Sequence, residues 1–164
     1  MFKFTKNEIE DAIEFINEHK GLYYERFIDC IKNQDIRDLT KEENARSDKF
    51  YSEHKNCCVK KLHKPFYSST GGGFEYIIDW TPIGFIYTRR CNSCGESVDV
   101  TDYNILKNNY NNITDETLIN ISYDSLLAIK PYSLIICGTG LGPCITIIDN
   151  NTSESKDITD IISW

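Results

Sequence analysis

The chain writes one stretch twice. Displaced by 58 positions, Thr81-Pro-Ile-Gly84 falls on Thr139-Gly-Leu-Gly142 and Asn92 on Asn150, while the run Glu96–Asp102 falls on Glu154–Asp160. No gap is needed from Phe74/Tyr132 to Leu106/Trp164, and nine of the 26 positions from Thr81 to Leu106 are identical, which is too many for chance. Self-similarity at a fixed offset is the mark of one supersecondary unit used twice.

Each copy carries short β-rich runs. In the first they are Phe74–Trp80, Phe85–Cys91 and Ser97–Asp102; in the second, Tyr132–Cys137, Cys144–Asp149 and Ser155–Ile161. The spacers Thr81-Pro-Ile-Gly84 and Cys91–Glu96 are short enough for antiparallel hairpins. Each copy therefore predicts a three-stranded meander, and three short strands alone are too few to be stable in water. The two copies should bury their apolar faces together.

The first part of the chain has a different period. Thr5-Lys-Asn-Glu8 is a capping box, followed by Ile9, Ala12, Ile13 and Ile16 at helical spacing, with Gly21 beyond the end. Tyr24, Phe27, Ile28 and Ile31 predict a second helix over Tyr23–Lys32. Thr40-Lys-Glu-Glu43 opens a third. Its few apolar residues (Ala45, Phe50, Tyr51) predict a helix lying on the surface. Between the repeats, Asn104–Asn112 reads as a loop or a poor helix, and Ser122–Ile129 as a short helix stopped by Pro131. The expected fold is α+β. N-terminal helices (about residues 5–56) pack on an antiparallel sheet built from repeats at about 74–102 and 132–164, joined by a linker over 103–131, as one domain over 1–164.

Cys91-Asn-Ser-Cys94-Gly95 is the strongest chemical signal. It occupies a hairpin turn, which points two sulfurs and several amides at one place. Over these five residues it resembles half of a zinc-ribbon site, and the resemblance implies two further ligands. The candidates are His54, Cys57, Cys58 and His63, with zinc as the expected ion. The second repeat has Asp149 and Thr152 in place of the two cysteines, so the repeat itself does not require metal. Two other readings stand beside zinc: a tight turn with free thiols, and a redox pair, which a hairpin without a helix dipole serves poorly.

Catalytic groups are scarce. His19, His54 and His63 lie in the helical part or just beyond it, away from the repeated sheet, and no nucleophile elbow or His-Glu-x-x-His is present. Gly138-Thr-Gly140-Leu-Gly142 precedes a strand, not a helix, so it is a turn and not a phosphate loop. Asp99-x-Thr101-Asp102 recurs in both copies and reads as an end-of-strand turn. The net charge of −7 makes nucleic acid a poor partner. No apolar run is long enough for a bilayer and Met1–Glu8 lacks a signal-type apolar core, so a cytoplasmic location is expected. Seven cysteines in a reducing compartment argue against a disulfide framework. A non-enzymatic, acidic protein-binding protein fits these features, for example an immunity or inhibitor protein that blocks a toxin. Trp80, Tyr87 and Tyr103 are its expected anchors, since Tyr and Trp favour interfaces. The alternative is a zinc-stabilised accessory or regulatory module built on Cys91 and Cys94.

Overall fold

A computed structural model describes residues 2–57, 73–138 and 142–161. Three helices come first: α1 (Lys6–His19), α2 (Tyr24–Asn33) and α3 (Lys41–His54). The first meander follows, with β1 (Phe74–Thr81), β2 (Gly84–Cys91) and β3 (Ser97–Asp99). Two linker helices, α4 (Tyr103–Asn111) and α5 (Tyr123–Ala128), lead to β4 (Tyr132–Gly138), β5 (Pro143–Asp149) and β6 (Ser155–Asp157). The protein is α+β, as expected. Among the described residues no helix is long and apolar enough to cross a membrane.

All six strands form one antiparallel sheet in the order β3-β2-β1-β4-β5-β6. The copies obey the same register: Phe74 faces Cys91 and Thr88 faces Asp99, while Tyr132 faces Asp149 and Thr146 faces Asp157. The copies join through β1 and β4, where Ile77 pairs with its own repeat equivalent, Ile135. A local two-fold axis therefore runs between these two isoleucines. The small bonds repeat too. Tyr87 N–H donates to Thr101 Oγ1 and Ile145 N–H to Thr159 Oγ1, both at 2.9 Å. Thr101 N–H and Thr159 N–H each donate to an aspartate two residues back, Asp99 and Asp157, at 2.9 Å. The recurring Asp-x-Thr is thus an end-of-strand turn.

The symmetry reaches the helices, which the sequence reading did not anticipate. Thr5, Lys6, Glu8, Phe15, Glu18 and His19 recur 35 positions later as Thr40, Lys41, Glu43, Phe50, Glu53 and His54. Both helices span 14 residues and start with a complete capping box. Glu8 also accepts the Asp160 N–H at 3.2 Å, and Glu43 accepts the Asp102 N–H at 2.7 Å, so each cap is tied to the equivalent point of one meander. Helix α1 packs on β5 and α3 on β2. The repeating unit is a helix plus a meander: α3 with β1–β3, and α1 with β4–β6.

Alternation along the strands sorts the core. Tyr76, Ile78 and Trp80, Phe85 and Tyr87, Tyr132 and Leu134, and Ile145 and Ile147 all point to the face covered by α1 and α2. Ile86 points the other way, into a smaller cluster with Ile83, Leu106, Leu118 and Leu126 under α4 and α5. The segment read as a loop or poor helix is α4. Its N-cap Asp102 accepts the Asn104 N–H, and Asn109 Nδ2 donates to Ile83 O at 2.8 Å. Tertiary bonds thus override the low helix propensity of asparagine.

Helix α3 lies on the surface, as expected, with ten of its 14 residues exposed, but the row it turns inward is mostly polar. It buries Glu43, Ser47 and Phe50, and the first two are satisfied: Glu43 by Arg37, and Ser47 by the Tyr76 hydroxyl at 2.6 Å. At the Ser47 position α1 has Ala12 and at the Tyr76 position the second unit has Leu134, both in the main apolar core. A polar pair stands in for an apolar one, and hydrophobic periodicity cannot register that.

Candidate metal centre

Helix α3 delivers His54 in its last turn, with its ring stacked on Phe50 at 4.2 Å and 30°. Cys57 follows three residues on. From the sheet, Cys91 ends β2 and is 1% exposed, so its sulfur points inward toward the helix. The β2–β3 turn is closed by Cys91 N–H to Glu96 O at 2.9 Å and Gly95 N–H to Cys91 O at 2.8 Å. Gly95 takes φ +78°, a left-handed conformation that costs glycine little. The turn swings Cys94 back beside Cys91.

One ligand atom each from His54, Cys57, Cys91 and Cys94 lies within 4.8 Å of the others. His54 Nδ1 is 3.3 Å from both Cys57 Sγ and Cys94 Sγ. In a tetrahedron with Zn–S about 2.3 Å and Zn–N about 2.0 Å, the edges run about 3.5–3.8 Å. Separations of at most 4.8 Å exceed those edges by about 1 Å, so small side-chain shifts would close the four atoms around one ion. His54 Nε2, the other ring nitrogen, is 3.3 Å from the Glu96 carboxylate, which orients the ring as outer-shell carboxylates do in histidine metal sites. The group can hold a metal ion.

The electrostatics point the same way. Burial and the sulfurs of Cys94 and Cys91 push the Cys57 thiol up to about 11. Burial opposes ionisation of Cys91 as well, but the backbone amides of Cys94 and Ser93 outweigh it and hold that thiol below its usual value. Three thiols this close cannot all ionise without a cation among them.

The second unit shows the same corner without sulfur. His19 stacks on Phe15 at 4.1 Å and 31°, as His54 does on Phe50. Its Nδ1 meets the Phe15 carbonyl at 2.8 Å and its Nε2 meets Glu154, the repeat equivalent of Glu96. That carbonyl and then that carboxylate raise the His19 pKa, as expected for an imidazolium donating from both nitrogens. Asp149 replaces Cys91, and its Oδ1 accepts the N–H groups of Asn151 (2.8 Å) and Thr152 (3.4 Å). These are the equivalents of the Ser93 and Cys94 amides that stabilise a Cys91 thiolate. A carboxylate does in one unit what a thiolate does in the other.

Of the expected ligands, four therefore converge, while Cys58 and His63 lie outside the described residues. The expectation that the histidines stay away from the sheet is corrected for His54 and His19. Each ends a helix that packs across the sheet, so its ring reaches a hairpin turn. The expected surface anchors fare differently. Trp80 is 5% exposed against the Phe27 ring, and Tyr87 is 3% exposed with its hydroxyl donating to Arg37 O. Both alternate onto the helix-covered face, so neither is available on the outer surface. Tyr103 is 41% exposed. Glu96 was not among the expected site residues, though its recurrence as Glu154 marked it in the sequence.

No protein-family model matches the chain, and neither a curated protein nor a solved structure is significantly similar to it.

Proposed function

We propose that the protein is a non-catalytic binding module whose first unit is locked by a structural zinc ion on His54, Cys57, Cys91 and Cys94. The observation that carries this is the convergence of four protein ligands from two elements. Catalytic zinc keeps a coordination position for water or substrate, whereas a Cys3His set fills all four. The ion would join the end of α3 to the β2–β3 turn, so its binding energy would appear as folding energy. A reducing cytoplasm suits such a site, because it keeps the thiols unoxidised.

Protein purified without a histidine tag should carry about one zinc per chain, and its cobalt form should show the visible absorption of a tetrahedral thiolate site. Chelator should lower the melting temperature of the wild type but not that of Cys94→Ser, which should already melt lower. Less than about 0.2 zinc per chain with no chelator effect sinks the proposal. Iron in place of zinc would overturn the identity of the metal and leave the ligand set standing.

What the module binds is a separate matter. The acidic charge and the exposed Tyr103 support a protein partner, in the manner of an immunity or inhibitor protein that blocks a toxin. If a toxin gene adjoins this one, the two purified proteins should form a stoichiometric complex in light scattering. Two separate peaks would end that reading.

A further inference from the structure

Beside the metal corner, the end of α3 (Tyr51, His54 and Lys55) and residues 36–39 flank a cavity of about 690 Å³. That is within the usual range for small-molecule sites, about 300–1,000 Å³. Its floor is the helix-facing row of the first meander, chiefly Tyr76, Ile78 and Tyr87, and Ile36 and Leu39 form the opposite wall. The lining is mostly apolar and aromatic.

The charged groups are few and unbalanced. Among the described residues, Arg37, Lys55 and Arg89 line the cavity against a single carboxylate, Asp38, in a protein whose net charge is −7. Arg37 is committed to Glu43, with two bonds of 2.6 Å. Arg89 is different. Its guanidinium lies 4.3 Å from the Tyr76 ring centroid and 5.3 Å from that of Phe74, so two rings hold it in place. Its Nε is buried with no hydrogen-bond partner among the described residues. A buried donor left unpaired is unfavourable, and a guanidinium already held by rings loses little freedom when a carboxylate docks on it. A fixed cation at an apolar, aromatic-lined cavity selects for an anion with an apolar body.

We propose that this cavity binds a small organic acid, an aromatic or similarly flat apolar molecule whose anionic group meets Arg89. The site is separate from the metal ligands except that His54 is part of its wall, so it can be tested whatever the outcome for zinc.

The probe is the fluorescent anion 1-anilinonaphthalene-8-sulfonate, with uncharged N-phenyl-1-naphthylamine as control, titrated into the 164-residue chain with its melting transition verified. The sulfonate should bind one per chain, saturably. Arg89→Gln should weaken it by about tenfold or more while changing the uncharged probe by less than about twofold. Leu39→Trp, which fills the cavity, should abolish both without loss of cooperative melting. If Arg89→Gln does not fold, Arg89→Lys and a salt titration take its place: sulfonate affinity should fall with salt and the uncharged probe should not respond. Non-saturable binding, equal loss of both probes on changing Arg89, indifference of the sulfonate to Arg89, or unchanged binding in Leu39→Trp would each overturn the proposal.

Discussion

Glu43 is wholly buried and yet ionised, because every lone pair it can offer is used. Arg37 donates twice, the Thr40 amide closes the capping box at 2.8 Å and the Asp102 amide ties the helix to the sheet at 2.7 Å. Burial alone would raise its pKa; Arg37 and the two amides reverse that and hold it down at about 2, against an ordinary 4.5. The sign follows: the folded value is depressed, so the stabilisation is full above about 4.5 and drains away as the pH falls toward 2. Glu43→Gln should therefore cost about 2–4 kcal/mol at neutral pH, since it leaves Arg37 without its partner. It should also flatten the acid limb of a stability–pH curve measured by urea unfolding. A variant with an unchanged acid limb would show that another carboxylate governs it.

At the level of elements, the two β-hairpin corners are a natural control for each other. Ser153 adopts φ +61° where the first unit has Gly95, and nothing lies within 4 Å of a Cβ built on that glycine. Gly95→Asn should cost no more than about 1 kcal/mol in thermal melting. Gly84 is a different case: its φ is +137° and a Cβ there would meet Leu106 Cδ2 at 2.7 Å, so Gly84→Ala should cost about 2 kcal/mol or more. The pair Cys91→Asp and Cys94→Thr would rebuild the second unit's corner in the first. It should fold, hold no zinc and ignore chelator; retention of zinc by atomic absorption would mean the ion sits elsewhere. The six strands were legible beforehand because turn glycines, alternation and the repeat all agreed, although β3 and β6 stop at Asp99 and Asp157, short of the expected Asp102 and Ile161, where the Asp-x-Thr turns begin. The metal corner was half legible. Cys91 and Cys94 announce themselves by spacing and His54 by its recurrence as His19, but nothing in the sequence distinguishes Cys57 from Cys58, since no periodicity runs through residues 57–63. The polarity of α3 concealed which of its residues turn inward, because Glu43 and Ser47 are satisfied by Asp102 and Tyr76, 59 and 29 residues away.

For the molecule as a whole, β1 and β4 are the hinge of the architecture, because each is central in the sheet and each pairs with the other unit. Ending the chain at Asn120 would strip β1 of its neighbour and remove Tyr132, whose ring stacks on Phe27 at 5.0 Å. Such a chain should show no cooperative melt in calorimetry; a soluble monomer with a sharp transition would mean that the units are independent. The pairing of helices with meanders has a further consequence, for the order of events in folding. Helix α3 finds its meander in the next 60 residues or so of chain. Helix α1 must wait for the far end of the sequence: Lys156 reaches Asp11 and Glu14 across separations of 145 and 142 residues, and His19 reaches Glu154 across 135. Closing loops of that length is entropically slow, and on the ribosome those partners do not yet exist when α1 emerges. Pulse-labelled hydrogen exchange during refolding should therefore protect the amides of β1–β3 and α3 before those of α1. The helix made first docks last.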